Sequence, residues 1–246
     1  MFTDDKITEI FVMCDDFSQK FDEFFKKTSL EAPNSDKRKN YRAPRMCDSE
    51  VMTILILFHK SGYRCLKHYY LNHICTDTEM RKRFPKTVSY NRFVELQKVA
   101  VLKLIAFVKL VLMGKCTGIS IIDSTPLHME QFTKDIFGKL VGDRGYIGKE
   151  LFCKLFVNGI QLITKLKNKM KNCLMSVSDK VLVRKRSIIE TINDELKNIA
   201  QVEHSRHRSF HNFVNNLMAG IAAYCFFPKK PMLDLERVED KQLTIF

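Results

Sequence analysis

Gly118-Ile119-Ser120-Ile121-Ile122-Asp123 is the stretch that decides the fold, because this apolar run predicts a buried strand that ends in a carboxylate. A second strand, predicted over Lys139–Gly142, leads in the same way to Asp143. A short helix predicted over Phe132–Phe137 connects the two strands, so we expect them to be parallel neighbours. Both aspartates then lie at the edge of the sheet where ligand sites of open α/β proteins form.

Glu190 provides a third carboxylate, within an amphipathic helix predicted over Val183–Gln201. The apolar stripe of this helix faces the core, and Glu190 lies off the stripe, where it can face a groove. Three carboxylates carried by separate rigid elements are suitable oxygen ligands for two divalent metal ions. Each acidic residue, taken alone, is more commonly a helix cap or part of a solvated surface. The apolar stripe consists of Ile188, Ile189, Ile192, Leu196 and Ile199.

The composition indicates one large domain or two small ones with a polyanionic partner. The chain has 246 residues, of which 45% are hydrophobic, and a formal net charge of +13 at pH 7. Nucleic acid is the first candidate partner for such a charge. A membrane surface is the second, but the charge is spread along the chain instead of flanking one amphipathic anchor. Alternatively, the positive charge belongs to a generic basic surface that binds no particular partner.

Basic segments supply the candidate DNA contacts. Residues 37–45 form either a solvated linker or a phosphate-contacting arm. Lysines recur at every second position of a strand predicted over Ile160–Lys171, where they line one side as a DNA-contacting strip or as a solvated edge. Histidine and arginine interleave in residues 203–211, which favours phosphate or partner contact over a zinc site. The candidate DNA-binding residues are Lys37, Arg38, Lys39, Arg42, Arg45, Lys165, Lys167, Lys169, Lys171, Arg184, Lys185, Arg186, Arg206, His207 and Arg208.

The hydrophobic periodicity changes along the chain. Helices are predicted over Ile7–Thr28, from an N-cap at Asp48 or Ser49 to about Lys60 and over Tyr90–Met113, so the first part of the chain is all-helical. Strand patterns begin after Lys115, and a last helix is predicted over Ser209–Phe226. The predicted organisation is a helical, DNA-binding region at 1–115, an α/β core at 116–228 and an irregular C-terminal tail at 229–246.

Cysteine usage and apolar runs bear on the cellular compartment. The eight cysteines are scattered without a CxxC pair, which favours reduced thiols in a cytosol. The segment Met1-Phe2-Thr3-Asp4-Asp5 is acidic and polar, which is not typical of a signal peptide. The longest uncharged apolar stretches, Val51–Phe58 and Asn215–Pro228, are shorter than the roughly 18 residues of a membrane span. These features predict a cytoplasmic protein with no membrane partner.

Six stretches carry a resemblance to a known family. They are Asp48–Tyr63, Phe84–Tyr90, Ile122–Leu127, Gly142–Tyr146, Leu162–Lys165 and Arg186–Ser209. In these stretches the chain resembles bacterial insertion-sequence transposases of the nine-eighty-two family, within the wider DDE class that has an RNase H-like core. The resemblance covers nearly the whole chain. It implies that Asp123, Asp143 and Glu190 are both the catalytic triad and the metal ligands.

The resemblance also implies the reaction and the partners. The expected fold is a helical DNA-binding region followed by a shortened RNase H-like core of mixed α and β structure. The expected reaction is DNA strand cleavage and strand transfer at insertion-sequence ends, with two Mg²⁺ or Mn²⁺ ions as cofactors. The expected partners are terminal inverted repeats and target DNA, bound by a homodimer in the bacterial nucleoid.

The spacing of the first two carboxylates departs from the family pattern. Only 19 residues separate Asp123 from Asp143, where the family places a β-hairpin and more. A deletion there would remove one neighbour of the strand of Asp123 and expose its edge, so this copy is expected to be less active than a full-length relative, or inactive. Two rival interpretations follow: a metal-dependent nuclease without a joining step, and a catalytically dead DNA-binding remnant that represses transposition.

Overall fold

The chain divides into two compact units, each built from two separate segments. The computed structural model describes residues 2–28, 45–123, 135–165, 174–203, 209–232 and 243–245. The helical unit comprises Met1–Met113 and Asp194–Pro228, and the sheet unit comprises Gly114–Asn193 and Lys229–Phe246. This division differs from the predicted organisation, because residues 194–228 group with the N-terminal helices.

Helices dominate the described residues, and strands are short. The helices are α1 Asp4–Thr28, α2 Asp48–Phe58, α3 Leu66–Tyr69, α4 Thr78–Arg83, α5 Tyr90–Phe107, α6 Lys149–Val157, α7 Val177–Lys185, α8 Ile188–Asp194 and α9 Phe210–Cys225. Single π-helical turns occur at Tyr70–Ile74, Val108–Leu112 and Glu195–Ile199, and a 3₁₀ turn at Arg144–Tyr146. The strands are β1 Ile119–Ile121, β2 Gly138–Val141, β3 Ile160–Ile163, β4 Leu174–Ser176 and β5 Leu243–Ile245.

The core of the helical unit is centred on α2. Its run Val51–Phe58 is buried along its whole length, as expected of a helix that is apolar on all sides. The backbone N–H of Cys47 donates to the carboxylate of Glu50 at 2.8 Å, which fixes the start of the helix. Helices α1, α5 and α9 pack around α2. The buried residues Ala219, Ala222 and Ala223 give α9 a small-residue face in this core, which explains why residues 194–228 belong to the helical unit.

The sheet unit contains a parallel three-stranded sheet in the order β1-β2-β3. Side chains alternate between its two faces, as the period of two requires. On one face, Leu140 and Ile160 pack with Leu155 of α6. On the other face, Val141 and Ile163 pack with Leu182 and Val183 of α7. The predicted parallel pairing and the mixed α and β fold class are therefore confirmed.

Several predicted element boundaries are wrong. Residues 135–137, the described part of the helix predicted over Phe132–Phe137, are not helical. The strand predicted over Ile160–Lys171 ends at Ile163, where its pairing with β2 ends. Part of the predicted irregular tail forms β5, which pairs antiparallel with β4.

The long helix predicted over Val183–Gln201 is interrupted at residues 186–187. The N–H of Ile189 donates to the carbonyl of Arg186, and that of Glu190 to the carbonyl of Ser187, each at 3.0 Å. These tight i to i−3 bonds make a turn that separates α7 from α8 and changes the phase of the apolar stripe. No residue of α8 is buried, so its isoleucines do not form the core that the stripe predicted.

Candidate active site

The sheet register places three polar residues at one edge. Ile121, Val141 and Ile163 are paired across the three strands. Two residues after each of them lie Asp123, Asp143 and Lys165. We call the end of the sheet where these three residues lie its carboxyl edge. The ladder continues almost to the aspartates, since the N–H of Ile122 donates to Val141 and that of Gly142 to Ile163, both at 2.9 Å. The two aspartates are therefore held by paired backbone.

Arg186 joins the two aspartates. Its Nη2 lies 2.7 Å from Oδ1 of Asp123, and its Nη1 lies 3.8 Å from Oδ1 of Asp143. The side chains of Arg186, Asp123 and Asp143 are 20%, 31% and 57% exposed, so the site is open to solvent on the Asp143 side. Asp143 Oδ1 also accepts the N–H of Arg144 at 2.6 Å, which caps the 3₁₀ turn. One guanidinium therefore lies within 4.0 Å of both aspartates, which only 19 residues separate in the chain.

The packing of α7 explains the position of Arg186. Near the start of the helix, Asp179 Oδ1 pairs with Lys139 Nζ of β2 at 2.6 Å. Lys139 and Asp143 are about 13 Å apart along an extended chain, and Asp179 and Arg186 about 10 Å apart along a helix. The two lengths are similar, so α7 runs along β2 with an ion pair at each end. Arg186 therefore reaches the carboxyl edge because α7 is anchored at its other end.

Tyr146 completes the described site, although the sequence analysis assigned it no role. The side chain is 4% exposed and packs beneath the carboxyl edge with Leu140. Burial, and then the charge of Asp123, raises the pKa of Tyr146, while the Arg186 charge lowers it. A Cβ on Gly142 would lie 3.2 Å from Cδ2 of Tyr146, so the glycine admits the ring. The only trace of this packing in the sequence is the glycine, Gly142, four residues before the tyrosine.

Glu190 lies exposed on α8, four residues after Arg186. Residues 123, 143 and 190 all belong to the described chain. Within that described chain, no group of three or more histidine, cysteine, aspartate or glutamate side chains is placed to hold a metal ion. The structure thus brings two of the three predicted carboxylates together through Arg186, and a role for Glu190 beside them is a proposal.

The two aspartates suit a divalent cation in donor type and in charge. Carboxylate oxygens are the ligands that Mg²⁺ and Mn²⁺ prefer. An oxygen of each aspartate already lies within 4.0 Å of one cation, the Arg186 guanidinium. The negative charges of both aspartates therefore face one cation, the Arg186 guanidinium.

The predicted DNA contacts are only partly within the described residues. Arg45, Lys165 and Arg184 are exposed, and Lys185 is partly buried. Lys165 lies beyond the end of β3, so it is not part of a lysine-bearing strand. Arg186 is 20% exposed, and its guanidinium faces Asp123 and Asp143. The other ten candidates lie outside the described residues: Lys37, Arg38, Lys39, Arg42, Lys167, Lys169, Lys171, Arg206, His207 and Arg208.

Comparison with known protein families gives one match. A family model described as the transposase DDE domain matches residues 128–210. This match supports a DDE transposase. The matched segment contains Asp143, Arg186 and Glu190 and begins five residues after Asp123. No curated protein and no solved structure matches the chain.

A search for membrane-spanning helices gave a negative result. Across the part of the chain that the structure describes, every helix is too short or too polar to cross a membrane.

Proposed function

We propose that this protein is a DDE transposase that cuts DNA at the ends of an insertion sequence and joins those ends to a target. The observation that carries the proposal is the pair of Asp123 and Asp143 at the carboxyl edge of a parallel sheet, in and beside a segment that matches the transposase DDE domain. We assign the sheet unit to a shortened RNase H-like core of the nine-eighty-two type.

The proposed catalytic residues are the two aspartates and Glu190. Asp123 and Asp143 would hold divalent ions at the carboxyl edge, and Glu190 would add the third carboxylate from α8. Bound divalent ions would activate a water or a 3′-hydroxyl and stabilise the leaving oxygen. The paired backbone before each aspartate, and the packing of the Tyr146 ring against Gly142 next to Asp143, would limit movement of the carboxylates, which metal ligands require.

DNA is the proposed partner, and the chain has the charge for it. A formal net charge of +13 favours polyanion binding, and exposed Lys165 and Arg184 lie at or near the ends of the elements that build the site. We assign these two residues to the phosphates flanking the scissile bond. The helical unit, with exposed Arg45, is the proposed module for the terminal inverted repeats, which a homodimer would bring together.

A nicking and joining assay tests the proposal. The substrate is a labelled duplex from the DNA that flanks the gene, incubated with the full chain and Mg²⁺ or Mn²⁺. We expect nicked and joined products from the wild-type chain, and losses on the order of a hundredfold from D123N, D143N and E190Q. Glu95→Gln is the matched control, because this exposed carboxylate pairs with Arg92 on α5 of the helical unit.

The same assay separates the rival functions. Nicking without joined products would identify a metal-dependent nuclease. Salt-sensitive binding with no metal-dependent nicking would identify a DNA-binding remnant that occupies element ends. A relative with the longer spacing between its first two aspartates, assayed in parallel, measures how far the short connection between Asp123 and Asp143 lowers turnover.

A further inference from the structure

We propose that Arg186 is the internal counter-ion of the two aspartates in the metal-free protein, and that a divalent cation binds only by displacing it. This inference rests on the proposed function for the identity of the cation. It assigns to Arg186 a positioning role within the sheet unit, in addition to the DNA contact predicted from the charge pattern.

The contacts of Arg186 show what holds it. Both terminal nitrogens of the guanidinium face carboxylate oxygens, at 2.7 Å to Asp123 and 3.8 Å to Asp143. The buried Nε has no hydrogen-bond partner among the described residues. The guanidinium is thus held chiefly by the two negative charges. These are the same charges that would attract a metal ion, so the two cations compete for one place.

The location of Arg186 allows it to withdraw. It lies at the end of α7, in the turn that precedes α8, where the helical hydrogen bonds are interrupted. Its side chain is long and 20% exposed, so it can rotate toward solvent. The anchors of α7 are elsewhere, at Asp179 and in the apolar contacts of Leu182 and Val183. Displacement of Arg186 therefore leaves the helix in place.

Competition of this kind has a measurable consequence. A ligand that binds only when Arg186 is withdrawn has an apparent affinity reduced by the fraction of withdrawn molecules. If that fraction is about one tenth or less, neutralising the arginine strengthens metal binding by roughly tenfold or more. Removing it also leaves two like charges close together without a counter-ion, so the metal-free protein becomes less stable.

The test measures Mn²⁺ binding by the full chain without DNA, by calorimetry and by the electron paramagnetic resonance of free Mn²⁺. Arg186→Gln is expected to bind Mn²⁺ roughly tenfold more tightly than the wild-type chain. Its melting temperature should be lower without metal and should rise further on Mn²⁺ addition. Arg81→Gln, the matched control at an exposed arginine of α4, should leave both measurements unchanged.

Two further variants, Arg186→Lys and R186Q combined with Asp123→Asn, complete the test. Arg186→Lys retains one positive charge but not the planar fork, and should give an intermediate gain if R186Q does not fold. Affinity equal to or weaker than wild type in the folded variants overturns the proposal, as does a gain that persists when Asp123→Asn is added. Absence of Mn²⁺ binding in all chains also overturns it. Tighter Mn²⁺ binding by R186Q, together with no DNA nicking by the wild-type chain, supports the proposal and contradicts the transposase function alone.

Discussion

Lys139 and Asp179 form an ion pair between the middle strand and the first turn of α7, with Nζ 2.6 Å from Oδ1. The Asp179 side chain is 11% exposed and that of Lys139 is 33% exposed. Helix α7 ends at the arginine that joins the two site aspartates. The Lys139–Asp179 pair therefore helps to position Arg186, and its contacts with Asp123 and Asp143, at the other end of the helix.

Lys139→Met should destabilise the sheet unit by about 2 kcal/mol, because it leaves the carboxylate of Asp179 buried without its cation. The cost is below that of a fully buried pair, since part of Lys139 already reaches water. Thermal unfolding followed by circular dichroism should show a melting temperature about 5 °C lower. Lys149→Met, an exposed lysine at the start of α6, should change it by less than about 1 °C. Equal melting temperatures for the two variants would contradict the anchoring role.

Gly138→Ala should disrupt the sheet itself. Gly138 has φ +80°, and a Cβ there would lie 2.3 Å from the carbonyl oxygen of Gly118, a backbone atom that cannot rotate away. We expect a loss of more than about 3 kcal/mol, or an insoluble protein. Gly145→Ala is the control, since a Cβ at that glycine meets no atom within 4 Å. Similar soluble yield and unfolding midpoint for both variants would show that the strand start tolerates a side chain.

Gly142→Ala tests the support beneath the carboxyl edge. The added methyl group would lie 3.2 Å from the Tyr146 ring and 3.4 Å from Cγ2 of Ile122, so the ring must shift by a few tenths of an ångström. We expect Mn²⁺ affinity to fall by about tenfold, as for lost outer-shell support, with little loss of stability. Calorimetric titration checks the affinity, again beside Gly145→Ala. An unchanged affinity would mean that Tyr146 does not support the aspartates.

DNA affinity should fall steeply with salt, because phosphate contacts release counterions. The logarithm of affinity falls against the logarithm of salt concentration by about 0.9 per contact. The double variant with Lys165→Gln and Arg184→Gln should therefore lower the slope by about 2 if each residue contacts one phosphate. Fluorescence anisotropy over a salt series measures the slope. Lys82→Gln is the control, because this lysine pairs with Glu79 at 2.8 Å. A slope unchanged by the double variant would remove these residues from the DNA interface.

The parallel sheet and the meeting of Asp123 and Asp143 could be predicted from the sequence. Buried strands have a period of two and a local apolar pattern, and parallel pairing places their ends at one edge. The approximate start of α2 could also be predicted, because its apolar run is local. The N-cap itself is Cys47, one or two residues before the predicted Asp48 or Ser49. These features depend on residues close together in the chain.

The role of Arg186 could not be predicted in the same way. Its partner Asp123 is 63 residues away in the chain, and nothing local distinguishes it from the neighbouring Arg184 and Lys185. The sequence pattern did not reveal the helix break at residues 186–187, because Ile188 and Ile189 continue the apolar stripe of the predicted helix beyond it. Likewise, the place of α9 in the helical unit depends on packing against α2 and α5, which periodicity does not reveal.

The interleaving of the two units constrains how the protein is made. Synthesis proceeds from the N-terminus, and domains generally fold as units as they emerge. Here the helical unit lacks α9 until residue 225 has been translated, and β4 lacks its partner until residue 245 has been translated. The apolar faces of α2 and α5 that α9 covers therefore stay exposed while residues 114–193 of the sheet unit are synthesised. A ribosome that stalls before α9 would release a chain with an open core, which is a ready substrate for chaperones and proteases.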